Sequence, residues 1–162
     1  MMFPDFRVGF GYDVHTIEPG RKLFLGGVEF DAPFGLKGHS DADVLIHAIC
    51  DALLGAANLR DIGYHFPPGD AKFKNIDSKI LLKEVVALLQ NTGFAIQNID
   101  STICAEEPKI NPRIPEMQKT LGEIMQIDSS KISIKATTNE KIGFVGRKEG
   151  ICAYAVCLIY KN

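Results

Sequence analysis

Apolar and polar positions alternate or recur at helical spacing in successive blocks along the chain. The apolar run "FRVGFGYD", residues 6–13, predicts a first strand. It leads through "EPGRK" into "KLFLGGVEF", which reads as a hairpin pivoting on Gly26-Gly27. "HSDADVLIHAICDALLGAANL" predicts a helix: Ser40 or Asp41 can cap it, Leu45, Ala48, Ile49, Ala52 and Ala56 form an apolar stripe, and Gly55 weakens its last turn. The next segment, "RDIGYHFPPGDAKFKNID", is rich in Gly, Pro and Asp and long for a loop, as lids and binding loops often are. Ser78 is placed to cap "KILLKEVVALLQNTG", a helix ended by Gly93. "FAIQNIDSTICAE" alternates like a strand, "NPRIPEMQKTLGEIMQ" is a helix whose prolines suit its first turn, and "KISIKATT" and "ICAYAVCLIYK" are further strands. Interleaved strand and helix signals imply an α+β fold, a mixed β-sheet with helices packed on one face, in a single domain over 1–162.

Composition narrows the classes. The chain has 162 residues, 46% hydrophobic and 23% charged, enough for a substantial core. Its net charge of −2, with no Lys/Arg run, predicts no nucleic-acid partner. No apolar stretch approaches the ~18 residues of a membrane span, so no membrane partner is expected. The start "MMFPDFRVGF" lacks the basic and long apolar regions of a signal peptide, and the expected location is cytoplasmic. The four cysteines form no C-x-x-C pair, and Cys152 and Cys157 fall on opposite sides of one predicted strand; reduced core cysteines are expected.

Candidate chemistry begins at "GYDVH". On an extended strand Asp13 and His15 project to one face, as an ion pair, a catalytic pair or two metal ligands. Asp43, His47 and Asp51 are spaced i, i+4, i+8 and share a helix face. Such a line is often simply solvated, but a metal-bound imidazole usually gives its second N–H to an acceptor, and Asp43 or Asp51 is spaced to take it. Asp13, His15 and His47 together offer one oxygen and two nitrogens, a set that suits zinc with a fourth position open. In "KATTNEKIGFVGRKEG", Thr137, Thr138 and Lys141 can surround a phosphate and Glu140 can hold a hard divalent cation. A glycine-rich hairpin with charged tips explains that stretch equally. "AEEPKINP" offers Lys109 beside Pro108, or only a solvated connection.

Taken together, "GYDVH", "GHSDADVLIHAICDALLGAA", "DIGYHFP", "EEPKINPRIP" and "KATTNEKIGFVGRKEG" resemble the 2-C-methyl-D-erythritol 2,4-cyclodiphosphate synthase family over essentially the whole chain. The resemblance implies a metal-dependent phosphorus-oxygen lyase of the non-mevalonate (MEP) isoprenoid pathway. Its substrate is 4-diphosphocytidyl-2-C-methyl-D-erythritol 2-phosphate, whose 2-phosphate attacks the β-phosphorus and expels CMP. It implies Zn2+ on Asp13, His15 and His47, and Mg2+ or Mn2+ on Glu140 with the substrate diphosphate. His39 and Thr138 match residues of transition-state stabilisation, and Asp43 is grouped with them as catalytic. Ser40, Asp61, Ile62, Gly63, Phe66 and Asp70 match the segments holding the methylerythritol part. Ala105, Pro108, Lys109, Ile110 and Asn111, with Ala136, Thr137, Thr138, Asn139 and Glu140, match the cytidine and diphosphate pocket.

The resemblance also implies a homotrimer with active sites shared between neighbours, and a central cavity at Phe144, Arg147 and Glu149 able to hold an isoprenoid diphosphate. The length agrees with the stand-alone enzyme, without the cytidylyltransferase domain fused in some relatives. Three departures from the usual pattern touch loops: Pro68 in "FPPGD", Asn139 in "TTNE", and Glu106-Glu107 in "EEP". His65, in the predicted lid, is expected to face solvent. Two rival readings remain at this stage, a zinc phosphohydrolase acting on a nucleotide diphosphate and a non-catalytic isoprenoid-diphosphate-binding trimer.

Overall fold

The structure, a computed structural model, describes residues 5–161; residues 1–4, on which part of the amino-terminal reading rests, lie outside that range. Strand β1 runs Asp5–Pro19, followed by the short strands β2 (Leu23–Leu25), β3 (Val28–Phe30) and β4 (Phe34–Leu36). Helix α1 (Val44–Ala56), the short α2 (Ile62–His65) and α3 (Ser78–Asn91) come next. Strand β5 (Ala95–Cys104), α4 (Ile114–Met125), β6 (Ile132–Thr137), the short α5 (Gly143–Gly146) and β7 (Gly150–Lys161) complete the chain. The main sheet has the order β4-β1-β7-β5-β6. Its pairs are antiparallel except β5 with β6, which run parallel across the α4 crossover. The predicted mixed sheet is therefore present, and β2–β3 is the hairpin expected at Gly26-Gly27, both glycines at positive φ.

Period-two alternation gives the sheet two unlike faces. On β1 the even positions Phe6, Val8, Phe10, Tyr12 and Val14 are exposed, and on β7 so are Tyr154 and Val156. The odd positions of β7, from Ile151 to Ile159, are buried beneath the helices. Gly9 and Gly11 lie on the helix side of β1, where an added Cβ would come within 1.9 Å of the Ala52 and Ala48 carbonyl oxygens. Here the absence of a side chain is a packing requirement: β1 lies directly on the Ala48/Ala52/Ala56 stripe of α1. Asp13 and His15 continue the same face two and four residues beyond Gly11, so this close crossing carries them to the level of His47.

Several expectations are corrected. The first strand continues to Pro19, because it pairs with β7 through Thr16↔Gly150 and then with β4. Helix α1 is capped by Asp43, whose carboxylate accepts the Ile46 N–H, rather than by Ser40 or Asp41. Asp77, not Ser78, caps α3. The predicted stripe describes only one side of α1, which is buried almost all round because the sheet covers one flank and α3 another. All four cysteines are free and buried, Cys157 in the main core and Cys152 with Cys104 and Val145 on the other face. Among the described residues no helix is long and apolar enough to cross a membrane.

Candidate metal centre and active site

Asp13, His15 and His47 converge. His15 Nε2 lies 2.9 Å from Asp13 Oδ2, His47 Nδ1 lies 3.0 Å from the same oxygen, and the two ring nitrogens are 3.1 Å apart. The outer edge of each ring determines what its inner nitrogen carries. His15 Nδ1 is 2.9 Å from the Lys37 carbonyl oxygen, which can only accept, so Nδ1 holds the proton and Nε2 presents a lone pair. His47 Nε2 faces the Ser78 and Ser40 hydroxyls at 2.9 and 3.2 Å. With its proton on that side, Nδ1 also presents a lone pair.

Two lone pairs and a carboxylate oxygen packed this closely repel one another unless positive charge sits among them. Without a metal, a proton on the rings supplies that charge: burial works to raise the Asp13 carboxyl, but hydrogen bonds and charge from protonated His15 and His47 outweigh it and hold it down at about 2. Burial likewise works to lower His15, yet Asp13 and the Lys37 carbonyl raise it. The cluster thus favours a cation, and its three donor atoms all lie within 4.8 Å of one another and can hold a metal ion. Edges of 2.9–3.1 Å are close to the ~3.3 Å edge of a tetrahedron with bonds near 2.0–2.1 Å.

The group opens on a cleft of about 230 Å3 lined by His15, His39, Ser40, His47, Ile62, Gly63 and Phe66, among others. The predicted lid folds over it. The Gly69 N–H donates to His39 Nε2 at 3.3 Å, and the Asn75 N–H donates to the His39 carbonyl at 2.7 Å. Arg21 donates to the Gly38 and Ser40 carbonyls and holds this loop from behind. Asp61 and Asp70 cap helical turns within the lid by accepting the Tyr64 and Lys72 N–H groups. His65 was expected to face solvent, but its Nε2 bonds the Leu59 carbonyl at 2.7 Å.

A second cleft, about 370 Å3, is lined by Ala105, Pro108, Lys109, Ile110, Asn111, Ala136, Thr137 and Thr138 together with Glu106 and Pro112. Beside it the Thr138 hydroxyl donates to Glu140 Oε1 at 3.1 Å. Glu140 and Lys141 adopt φ of 50° and 63°, a strained left-handed conformation for such residues. Glu106 Oε1 supports it by accepting the Asn139 and Lys141 N–H groups at 2.9 and 3.3 Å. The departure "EEP" therefore anchors the Glu140 loop. Phe144 is partly exposed nearby in sequence, and Arg147 pairs bidentately with Glu149 at 2.8 and 3.1 Å.

Register places the two clefts at the same end of the sheet: His15 is level with Ile151, and Cys104 is paired with both Cys152 and Thr137. They share no lining residue, and β7 separates β1 from β5. Glu140 accordingly does not join the Asp13, His15 and His47 group within one chain. A larger open depression of about 500 Å3, lined in part by Lys22, Glu29 and Arg113, lies away from these ligands.

Two residues of the site are engaged otherwise than their motif and spacing suggest. Asp43 was grouped as catalytic, but it is fully buried and accepts the Gly26, Gly27 and Ile46 N–H groups. It ties the β2–β3 turn to the start of α1. The acceptor for His47 is neither Asp43 nor Asp51; Asp51 instead accepts the Ile62 N–H at 2.8 Å. Ser78 takes that place, supplied by a helix 31 residues further along. Sequence reading missed it because no local spacing links a residue on α3 to one on α1.

A model of the YgbB family matches residues 6–160. A Parabacteroides distasonis protein named 2-C-methyl-D-erythritol 2,4-cyclodiphosphate synthase is 63% identical over 155 residues, covering 96% of each chain. Among solved structures, the Plasmodium falciparum IspF CDP complex superposes with a TM-score of 0.86 at 34% identity, covering 99% of this chain and 100% of that one. The bifunctional IspDF of Campylobacter jejuni gives a TM-score of 0.95 at 41% identity, and this chain spans 43% of its length. With matching motifs, fold and near-complete coverage in agreement, the chain belongs to the YgbB family.

Proposed function

We propose that this chain is a 2-C-methyl-D-erythritol 2,4-cyclodiphosphate synthase acting as one catalytic unit over residues 1–162. The observation that carries this reading is the Asp13–His15–His47 group opening on a lidded cleft, in a chain 63% identical to a protein of that name. In the reaction an oxygen of the substrate 2-phosphate forms a bond to the β-phosphorus of the cytidine diphosphate. The bond from that phosphorus to the CMP oxygen breaks, and the electron pair leaves with CMP. No water is consumed.

A zinc-type ion on Asp13, His15 and His47 and a magnesium or manganese ion at Glu140 would supply positive charge to the crowded phosphate oxygens. The chain's own residues do the positioning, the main demand of phosphoryl transfer. His39, tied to the lid by Gly69, faces the methylerythritol side with Ser40, Ile62, Gly63 and Phe66, while Asp61 caps the lid turn that carries Ile62 and Gly63. Lys109 offers donors to the diphosphate, the Thr137 and Thr138 hydroxyls can turn to it from the Thr138 carbonyl and Glu140 Oε1 that they now serve, and backbone groups along Ala105–Asn111 read the cytosine edge.

The proposed assembly is a homotrimer. Its support is the apolar outer sheet face, where Phe6, Val8, Phe10, Tyr12, Val14, Tyr154 and Val156 stand exposed together. A neighbour packed there would bring the metal-side cleft of one chain toward the second cleft of another. Around the resulting axis, Arg147 and Phe144 offer a guanidinium and an apolar wall to an isoprenoid diphosphate. Sedimentation equilibrium is expected to give three copies of the 17.8 kDa chain, and a monomer that turns over substrate would refute shared sites. Cytoplasmic residence belongs to the same reading, supported by four buried cysteines without disulfides.

Phosphorus NMR tests the chemistry. With the cytidine diphosphate substrate and magnesium, two coupled resonances of a cyclic diphosphate should grow in step with CMP. Glu140→Gln should retain zinc and lose the response to added magnesium. A linear product with CMP would replace the synthase by a phosphohydrolase; no turnover by a zinc-loaded trimer would leave a binding protein.

A further inference from the structure

Two residues outside the predicted site, Ser78 and Asp41, form a chain of hydrogen bonds behind His47. Ser78 is fully buried at the first turn of α3, with its hydroxyl 2.9 Å from His47 Nε2. The same hydroxyl donates to Asp41 Oδ1. Asp41 is itself held from three sides: Oδ2 accepts the Ser78 N–H at 3.0 Å, Oδ1 accepts the Asp43 N–H at 3.2 Å, and its own N–H donates to the Ile76 carbonyl at 3.1 Å. The carboxylate thereby links the starts of α1 and α3 beside the metal group.

Proton counting gives this chain a direction. A serine hydroxyl has one hydrogen, and here it goes to Asp41. Toward His47 the oxygen can only accept, so the imidazole proton must sit on Nε2 and the Nδ1 lone pair must face Asp13 and His15. Ser40 cannot enforce this. It lies farther from Nε2, at 3.2 Å, and its hydrogen is not committed to a carboxylate.

We propose that Ser78, locked by Asp41, is a positioning residue that fixes the tautomer and ring orientation of His47 for metal binding. The inference rests on the metal reading above and extends it to two residues expected from sequence only as helix caps. Outer partners of metal-bound imidazoles typically contribute ~10–100-fold in metal affinity.

The test measures zinc affinity by competition with a chelator, in the full chain, for wild type, Ser78→Ala and Asp41→Asn. Ser78→Ala should weaken zinc binding ~10–100-fold. The melting temperature of its metal-free form should stay near that of metal-free wild type, because Asp77 still caps α3 and the Ser78 position keeps its N–H bond to Asp41. Asp41→Asn, which can donate to Ser78 and so release the hydroxyl hydrogen toward His47, should weaken zinc binding in the same direction. If Ser78→Ala fails to fold, Asp41→Asn carries the test. In nitrogen-15 spectra of the zinc-loaded protein, the His47 Nε2–H proton should be protected in wild type and exchange rapidly in Ser78→Ala. Wild type that takes up no zinc would overturn the metal reading and this one with it. Wild-type uptake with both variants within two-fold of it would overturn the positioning role alone.

Discussion

His47→Ala is expected to lose zinc and turnover together while remaining folded. The substitution removes one of the three donors found among the described residues, so its effect on affinity should exceed the ~10–100-fold of an outer partner. Structural cost is limited because the contacts that seat α1 on β1 lie elsewhere, between Gly9 and Gly11 and the Ala48/Ala52/Ala56 stripe. Losing a mostly buried ring and leaving Ser78 without its partner should cost about 1–3 kcal/mol. Metal content by mass spectrometry, phosphorus NMR turnover and thermal melting give the three readouts. Since bound metal stabilises the folded state by mass action, melting must be compared with chelator-treated wild type. A variant that still holds one zinc per chain would remove His47 from the ligand set.

Asp43→Ala should be the more damaging change to stability. Three backbone N–H groups, from Gly26, Gly27 and Ile46, depend on this buried carboxylate. Leaving buried donors unpaired costs about 1–3 kcal/mol each, so the expected loss for three is about 3–9 kcal/mol, a large part of the ~5–15 kcal/mol of a typical domain. Burial and the nearby Asp41 charge push the Asp43 carboxyl upward, while the backbone donors work to lower it. Removing the charge alone should therefore hurt less. In Asp43→Asn one oxygen can still serve Gly26 and Ile46, but the amide NH2 would face the Gly27 N–H, for a loss of about 1–2 kcal/mol. Urea unfolding measures both. Unchanged stability in Asp43→Asn with turnover abolished would return Asp43 to the catalytic role expected from sequence.

The surroundings of Asp43 show where sequence reading is strong and where it stops. A carboxylate in "GHSDADVLIH" matches a motif, but the motif does not say whether the side chain points to substrate or back into the protein. Only the β2–β3 turn, folded against the start of α1, shows that three N–H groups already occupy it. Glu106 illustrates the converse. As a departure from the family pattern it marked only a loop, and its carboxylate supports the left-handed turn at Glu140 and Lys141.

What the sequence determined by itself is local and periodic. Alternation placed Asp13 and His15 on one side of a strand, Gly26-Gly27 marked a hairpin, helical spacing put His47 on α1, and the linked motifs pointed to the family. These follow because strand and helix periods are properties of the backbone, so neighbours in sequence have fixed relative directions. Tertiary structure alone decided that the strand pair and the helix histidine meet, through glycines that let β1 lie on α1. It also decided that Ser78 and Asp41, rather than an i+4 aspartate, back His47, and that Glu140 lies in a separate cleft. Those are contacts between elements remote in sequence, and their geometry depends on how closely the backbones approach, which no local period encodes.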